Sequence, residues 1–198
     1  MTSVLILLGA VLCSLSVSSE VVPQADFNLQ EMAGKWYTVG YATNAQWFVS
    51  RKATMKMGTA MLKPTAEGDL DIASSRLNSD GTCRRKNKLA KKTSIPGKFS
   101  YFCQRWGSLN DITVVDVKYD EYAVIHTLKT KGDDVYSAVK LYGRSPDLSA
   151  EVLAKFKRVS SASGILPDNI VLLPKNGKFP SLRNLLKQSN TSTTSNPF

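Results

Sequence analysis

The residues best suited to nucleophilic chemistry in this 198-residue chain are its three cysteines, Cys13, Cys83 and Cys103. A thiolate is a strong nucleophile near neutral pH, whereas a hydroxyl needs a strong base beside it. The single histidine, His126, has no second histidine for a metal site or a catalytic triad, so we expect a wall or surface residue there. Phosphate-binding glycine loops and cysteine pairs at zinc spacing are also absent. The sequence therefore predicts no metal and no cofactor, and favours binding over catalysis.

The first nineteen residues carry no acidic or basic side chain, and their apolar stretch, 4–17, is too short to span a bilayer. Ser18 and Ser19 are small residues that suit a signal-peptidase site before Glu20. We predict a signal peptide over residues 1–19 and a secreted, extracellular mature protein. The alternative is a buried N-terminal strand.

Cys13 would leave with that signal, so the mature chain keeps Cys83 and Cys103, an even pair in an oxidising compartment. Between them, Pro96 and Gly97 mark a turn that joins two strand-like runs. A hairpin folded about Thr93 would place the two cysteines opposite one another, within reach of a disulfide. We predict that bridge, with two unpaired thiols as the alternative.

The net charge is +10, and it is concentrated in the segment 81–110, which contains no acid. Its eight basic residues are Arg84, Arg85, Lys86, Lys88, Lys91, Lys92, Lys98 and Arg105. A basic surface over 84–98 would suit an anionic polysaccharide or a membrane surface, and no nucleic-acid-binding motif appears. The alternative is a solvated hairpin whose charges keep a sheet edge from aggregating.

Short strand-like runs at hairpin spacing dominate the chain. They are Lys35–Asn44, Lys52–Leu62, Asp69–Leu77, Thr82–Lys91, Lys98–Trp106, Ile112–Lys118, Tyr122–Lys129 and Val135–Tyr142. Turn-forming residues separate them, as in "NSDGT" and "KGDD". Eight successive strands predict an all-β fold, an eight-stranded up-and-down antiparallel barrel large enough for one small ligand.

One C-terminal α-helix is predicted after the eighth strand. Ser145 is its expected cap, with Pro146 in the first turn and Gly164 as the stop. Its apolar face is formed by Leu148, Val152, Phe156 and Val159. A short last strand follows over 169–174, so one domain covers 20–175. We expect a flexible polar tail over 176–198, with a glycosylation sequon at Asn190.

Two motifs resemble signatures of the lipocalin family. "GKWYTVGYATN" resembles the G-x-W signature, with Gly34 and Trp36 in the matching places. "LYGRSPDLS" resembles the last signature, in which Arg144 would pack over the tryptophan at the closed end of the barrel. The middle signature keeps only Tyr119. The resemblance implies a monomeric barrel that holds a small hydrophobic ligand.

Further segments, including "RWGS", "VVDVKYDEYAV" and "NIVLLP", resemble the prostaglandin D synthase branch of that family. The resemblance implies a catalytic cysteine in the second strand, which isomerises a prostaglandin endoperoxide with glutathione. Gly58 stands at that position, and Thr43 and Ser74 stand where supporting hydroxyls would lie. Glycine cannot act as a nucleophile. This departure favours a carrier without isomerase activity.

The orientation of Gly58 is ambiguous in the sequence. Period-two alternation would point Met55, Met57 and Met61 inward and Gly58 outward. The resemblance points Gly58 inward, with Lys56 beside it, and a bulge at Gly58 could reconcile the two patterns. We follow the resemblance for Gly58.

The resemblance also implies a set of ligand contacts. Trp47, Trp106 and Tyr142 are its aromatic members, and Arg51 and Lys52 would attract a ligand carboxylate at the mouth. Retinoids, fatty acids and bilins are all compatible with such a barrel. Three functions follow: a secreted carrier of such a ligand, a prostaglandin D synthase that uses another thiol or only scaffolds glutathione, and a polyanion-binding protein.

Overall fold

The computed structural model describes residues 21–78 and 80–175. The predicted signal peptide over 1–19, the predicted tail over 176–198 and Asn190 lie outside the described residues. Nine strands and one α-helix form the described part. The strands are β1 Gly34–Thr43, β2 Gly58–Pro64, β3 Leu70–Leu77, β4 Cys83–Lys92, β5 Lys98–Cys103, β6 Ser108–Lys118, β7 Tyr122–Lys131, β8 Asp134–Gly143 and β9 Ile170–Leu172, and the helix is α1 Ala150–Ala162.

Each of the first seven strands pairs antiparallel with the next, and β1 also pairs with β8, which closes the sheet. Closure removes the exposed edges that an open sheet would present. The ninth strand adds to β1 through the pairs Gly40 with Leu172 and Ala42 with Ile170. The structure confirms the predicted all-β, eight-stranded up-and-down barrel with one C-terminal helix.

The core divides into two clusters. The first fills the lower barrel around Trp36, and includes Leu62, Leu70, Phe99 and Ile125. The second packs α1 on the outer wall through Val152 and Phe156, and continues to Tyr41 and Phe48 near the rim. Gly40 permits this docking, because a Cβ there would lie 2.7 Å from a ring carbon of Phe156.

The helix begins later than the sequence predicted. Ser149 is the N-cap, and its hydroxyl accepts a hydrogen bond from the Val152 N–H at 3.3 Å. Ser145 and Pro146 therefore precede the helix, and the predicted cap at Ser145 is wrong. The stop is at the expected place, since Gly164 follows the helix with a φ of +74°.

The second strand is shorter than predicted. Lys52–Thr54 is a turn of 3₁₀-helix, and β2 begins only at Gly58. Ala60 and Leu62 are buried while Met61 is exposed, so the inward Met61 that period-two alternation alone would give is not found. Met57 instead joins the outer cluster, and its N–H donates to the Pro174 carbonyl at 2.9 Å.

Candidate functional site: the barrel interior

Trp36 and Arg144 close the lower end of the barrel. Trp36 is fully buried, and its indole N–H donates to the Met32 carbonyl at 2.9 Å. The Arg144 guanidinium lies over the indole, 3.7 Å from the ring centroid. It also donates to the carbonyls of Tyr119, Lys35 and Glu31 at 2.8, 3.2 and 3.1 Å. A cation with three carbonyl acceptors and an aromatic face is fully partnered.

Gly34 and Tyr119 complete this floor. Gly34 has a φ of +104°, and a Cβ there would lie 3.1 Å from Nη1 of Arg144, so no other residue fits without strain. The Tyr119 hydroxyl accepts a hydrogen bond from the Asn28 N–H at 2.7 Å, which ties the N-terminal segment across the floor. The four signature residues therefore meet at one end of the barrel.

Gly58 faces the barrel interior. It pairs with Thr38, and its place in the alternation matches Ala60 and Leu62, which are buried inside. A Cβ on Gly58 would point toward Arg76, but would lie only 2.6 Å from the Ser75 carbonyl oxygen. The glycine thus permits a close approach of β3 to β2, which is a structural reason for its identity beyond any missing nucleophile.

Thr43 and Ser74 lie on the inner wall, but both hydroxyls are engaged with the backbone. Thr43 donates to the Ser137 carbonyl at 2.6 Å and accepts from the Ala45 N–H at 3.2 Å. Ser74 donates to the Lys86 carbonyl at 3.3 Å. Ser74 is the inner-face neighbour of Gly58 through its pairing with Ala60, whereas Thr43 lies farther along β1 beside Ala138.

The predicted disulfide is not present in the structure, in which Cys83 and Cys103 are both free thiols. Lys91 pairs with Ser100 and Lys92 with Phe99, so the hairpin folds between Ile95 and Pro96 and not about Thr93. The cysteines are therefore not opposed.

The two free thiols also face different sides of the barrel wall. Cys83 pairs with Leu77 on the outer face and is exposed. Cys103 alternates with Phe99 and Tyr101 of the interior cluster and is half-buried. Cys103 is thus the one described thiol on the inner face of the barrel.

The predicted aromatic contacts lie at three different depths. Trp47 sits at the rim with 44% of its surface exposed, and its ring is 6.4 Å from that of Tyr41. Trp106 lies in the turn after β5, is 53% exposed, and has the Arg105 guanidinium 5.6 Å from its ring centroid. Tyr142 is buried inside the barrel. Only Tyr142 reaches the interior in this structure.

Arg51 and Lys52 differ in what they contact. The Lys52 ammonium donates to the Asp168 carbonyl at 2.6 Å and to the Asn169 Oδ1 at 3.2 Å, so it anchors the segment before β9. Arg51 interacts electrostatically with Arg76, which lies on the inner face near the start of β2. Of the two predicted carboxylate contacts, Lys52 is thus engaged with the backbone, and Arg51 is exposed.

The basic segment 84–98 is divided by strand alternation. Arg84, Lys86 and Lys88 share the inner face of β4 with the buried Ala90, whereas Arg85 faces outward. Lys91 also faces outward and pairs with Asp69 at 2.8 Å. The predicted polyanion surface over 84–98 therefore has three of its seven cations on the inner face of β4.

Two more lysines enter the interior from the opposite wall. Lys129 pairs with Asn110 and Tyr136, and Lys140 pairs with Tyr41 and Ile125. Both alternate in phase with residues of the interior cluster. Together with Lys86 and Lys88 they form the interior lysine cluster, four cations on three strands. Among the described residues, no carboxylate forms an ion pair with any of the four.

This cluster perturbs its own ionisation. Burial and the charges of Lys129 and Lys86 lower the pKa of Lys140 to about 8. The charge of Lys140, together with burial, holds the pKa of Lys88 well below its usual range. Burial likewise lowers the pKa values of Lys86 and Lys129. Each of the four amines is thus harder to protonate than a solvated lysine, because it is partly buried and lies near other cations.

Aromatic and amide groups surround these ammonium groups. Lys88 lies 5.2 Å from the ring centroid of Tyr101, and Lys140 lies 5.9 Å from that of Tyr142. Burial raises the pKa values of both phenols to about 12, so they stay neutral donors. Asn110 is fully buried on the same inner face, and its Oδ1 has no hydrogen-bond partner.

The strand ladder beside this cluster is short. Strands β4 and β5 pair only next to their turn, at Lys91 with Ser100 and Lys92 with Phe99. By contrast, β3 and β4 pair at eight positions along their length. Lys86 and Lys88 on one side and Tyr101 and Cys103 on the other therefore flank a stretch of wall without ladder pairing, which we call the β4–β5 seam.

Sequence reasoning missed Lys129, Lys140, Tyr101 and Asn110 as interior residues. The sequence did contain evidence for two of them, because residues an even number apart on a strand share a face. Lys140 stands two residues before Tyr142, and Lys129 stands four residues after Ile125. The pairing of β7 with β8 has no register shift, so the inward alternation of Ile125 and Tyr142 extends along both strands to the two lysines.

Two further findings bound the chemistry. No helix in the described part of the chain is long and apolar enough to cross a membrane. Residues 21–78 and 80–175 hold no group of three histidine, cysteine, aspartate or glutamate side chains placed to bind a metal ion.

Comparison with known proteins adds relatives to this geometry. The sequence profile of the lipocalin / cytosolic fatty-acid binding protein family matches residues 33–177. A protein named lipocalin from Rhinella marina is 42% identical over 164 residues, which covers 83% of this chain and 89% of the relative. A prostaglandin-H2 D-isomerase from Canis lupus familiaris is 34% identical over 177 residues, covering 88% and 92%.

Among solved structures, the siderocalin Ex-FABP, described as functioning through dual ligand specificities, superposes with a TM-score of 0.65 at 29% identity. The match covers 74% of this chain and 96% of that protein.

Proposed function

This chain belongs to the lipocalin family, and we propose that it is a secreted carrier that holds one small lipophilic ligand in its barrel and lacks isomerase activity. The apolar cluster above Trp36 supports the lipophilic part of this proposal, because such interiors select small molecules by shape and apolar contact. Secretion is proposed from the signal-like sequence of residues 1–19.

The observation that carries the proposal is the inward face of Gly58. The position where the resemblance requires a catalytic thiol faces the interior and has no side chain. The hydroxyl of Ser74, near Gly58, and that of Thr43, farther along β1, both donate to backbone carbonyls. A hydroxyl in that state is a poor nucleophile.

A specific observation favours the rival function, a prostaglandin isomerase. Several relatives carry that name, and Cys103 is a free thiol on the inner face. Lys86, Lys88 and Lys129 lie close enough to Cys103 to interact with it electrostatically. Cys103 lies on β5, however, away from the β2 position that the resemblance implies.

Binding is tested by titrating retinol, dodecanoic acid and a bilin while tryptophan fluorescence is recorded. Trp47 at the rim and Trp106 beside the seam are the expected reporters, and Trp36 is shielded in the floor. We expect saturable quenching at a stoichiometry of one ligand per chain for at least one compound. Absence of saturable quenching by all three compounds would contradict the carrier.

Catalysis is tested with prostaglandin endoperoxide and glutathione on the wild type and on Cys103→Ser. We expect both proteins to match the uncatalysed rate. Turnover that depends on glutathione and disappears in Cys103→Ser would establish the rival. The matched variant Cys83→Ser removes the outward thiol and controls for general thiol effects.

A further inference from the structure

We propose that the interior lysine cluster is a binding site for the acidic head of an amphiphile, specifically a single-chain lipid with a phosphate monoester head. This inference rests on the proposed function, since it names the class of ligand that the barrel takes. The tail would lie on the apolar residues above Trp36, and the head would lie among Lys86, Lys88, Lys129 and Lys140.

The first argument is the uncompensated charge. Four lysines converge from β4, β7 and β8 on the inner face, and none forms an ion pair with a described carboxylate. Like charges that share a partly buried space destabilise the empty protein. A ligand that supplies negative charge would relieve this repulsion, which a neutral lipid cannot do.

The second argument is the position of the lysines relative to the apolar interior cluster. Lys88 pairs with Ile72, and Lys140 pairs with Ile125, and both isoleucines belong to the apolar interior cluster. The lysines thus stand immediately above apolar wall, with Tyr101 and Tyr142 beside them. A ligand that spans this boundary must be polar at one end and apolar at the other.

The third argument is the orphan acceptor. Asn110 is fully buried between Tyr101 and Lys129 on the inner face, and its Nδ2 donates to the Ser108 carbonyl at 2.9 Å. Its Oδ1 lacks a partner, and a buried unsatisfied oxygen is costly. The head group therefore meets several donors and one free acceptor.

A phosphate monoester matches this set better than a carboxylate. It carries a charge of −1.5 to −2 near neutral pH, so it neutralises about two lysines where a fatty acid neutralises one. Its monoanionic form also has a P–OH that can donate to Asn110. Its several acceptor oxygens can bond more than one ammonium group at once.

The β4–β5 seam gives such a head a place to enter. Lys86 is exposed and Lys88 half-buried on one flank, so the cluster is reached from solvent through a gap in the ladder. The head need not cross the apolar interior, because the cluster lies on the solvent side of it.

The experiment compares three probes with the same tail: dodecyl phosphate, dodecanoic acid and dodecanol, each kept below its micellar concentration. Dissociation constants are measured by calorimetry with the purified protein at pH 7 and near-physiological salt. We expect dodecyl phosphate to bind about tenfold or more tightly than dodecanol, with dodecanoic acid between them, because charge-assisted hydrogen bonds exceed tenfold in affinity.

The variant Lys88→Met/Lys140→Met should lose most of that preference while it still binds dodecanol. The matched control Lys63→Met/Arg85→Met removes two exposed cations from the outer face and should retain the preference. A preference that survives in Lys88→Met/Lys140→Met, or that disappears equally in the control, would overturn the proposed site.

The two cysteines report where the head binds. Saturating dodecyl phosphate should slow alkylation of Cys103 on the inner face and leave alkylation of Cys83 on the outer face unchanged. An unchanged Cys103 rate with bound dodecyl phosphate would place the head elsewhere and overturn the inference.

Failure of this inference differs from failure of the carrier function. If dodecanol and retinol bind and dodecyl phosphate shows no preference, the carrier stands and the phosphate site is wrong. If neither the three dodecyl probes nor retinol bind, both proposals are contradicted.

Discussion

The floor and the upper interior of this barrel both contain partly buried cationic side chains, but these side chains have opposite surroundings. Arg144 in the floor donates to three carbonyls and stacks on Trp36, so its charge is satisfied within the fold. Lys88 and Lys140 in the upper interior lie beside two tyrosines and other lysines, and no carboxylate of residues 21–78 or 80–175 pairs with them. The floor is thus organised for stability, and the upper interior carries a stability cost.

That difference separates the part of the sheet that stabilises the barrel from the part that is available to a ligand. Interactions that are complete in the empty protein hold the barrel closed and do not need a ligand. Interactions that are incomplete in the empty protein are available to a ligand, and such unsatisfied groups concentrate at functional sites. Four predictions test this division, and they run from the largest expected effect to the smallest.

Substitution Trp36→Ala should lower the free energy of unfolding by about 3–5 kcal/mol, because it empties a fully buried site and removes the aromatic face under Arg144. Chemical denaturation with a circular dichroism readout measures the loss. Trp106→Ala is the control, since its side chain is 53% exposed and should cost less than about 1 kcal/mol. Equal losses in both variants would show that the floor has no special role.

Substitution Gly58→Cys should destabilise the protein by about 1–3 kcal/mol, because its Cβ would approach the Ser75 carbonyl oxygen at 2.6 Å and force β2 and β3 apart. Ser74→Cys is the matched control, as it places a thiol on the same inner face where a side chain already fits. Thermal unfolding under reducing conditions compares the two. A fully stable Gly58→Cys would show that close strand approach does not dictate this glycine.

The variant Lys88→Met/Lys140→Met should be more stable than the wild type by about 1 kcal/mol in the absence of ligand, after allowance for solvent screening. The gain arises because two repelling, partly desolvated charges are replaced by apolar side chains of similar length. Urea unfolding at pH 7 measures it. A loss of stability would mean that the lysines are satisfied in the empty barrel, and would end the contrast with the floor.

The smallest effect concerns pH. Lys140 has a folded pKa of about 8 against an ordinary value of 10.5, so between these values the unfolded chain binds more protons than the folded one. Stability should therefore rise from about pH 8 toward pH 10, by less than about 1 kcal/mol after screening. Above pH 10 the buried tyrosines oppose the trend, because burial keeps Tyr142 protonated in the fold only.

Lys88→Met/Lys140→Met should flatten this rise between pH 8 and pH 10. Denaturation midpoints measured every half pH unit decide the matter. Stability that falls over this interval in the wild type would contradict the lowered lysine pKa values.

Much of the fold could be read from the sequence. Turn residues at regular spacing and short alternating runs specified eight antiparallel strands, and Val152 and Phe156 identified the face of the helix that packs on the wall. The start of the helix was misplaced, because Ser145 and Ser149 are both competent caps and only tertiary packing selects the second. The beginning of β2 was misplaced for a related reason: a 3₁₀ turn at Lys52–Thr54 leaves no propensity signal.

The candidate site was harder to predict than the fold. The register shifts between Thr38 and Gly40, so Thr38 and Tyr41 both face inward although they are three residues apart. A second shift lies between Val114 and Asp116 on β6. Such irregularities reverse the phase of alternation and have no sequence signature here. Charge composition marked segment 84–98 as basic, but composition does not reveal which side of a wall each cation faces.

The short ladder between β4 and β5 has a consequence for cargo exchange. A barrel with complete ladders can admit a ligand only through its rim or by partial unfolding. Here the strands β4 and β5 have no ladder pairs beyond Lys91 and Ser100 on the side away from their turn. Widening this flank breaks no cross-strand hydrogen bonds above those residues, and the Arg144 contacts at the other end stay intact. The rate at which a ligand leaves can therefore be set independently of the rate at which the protein unfolds.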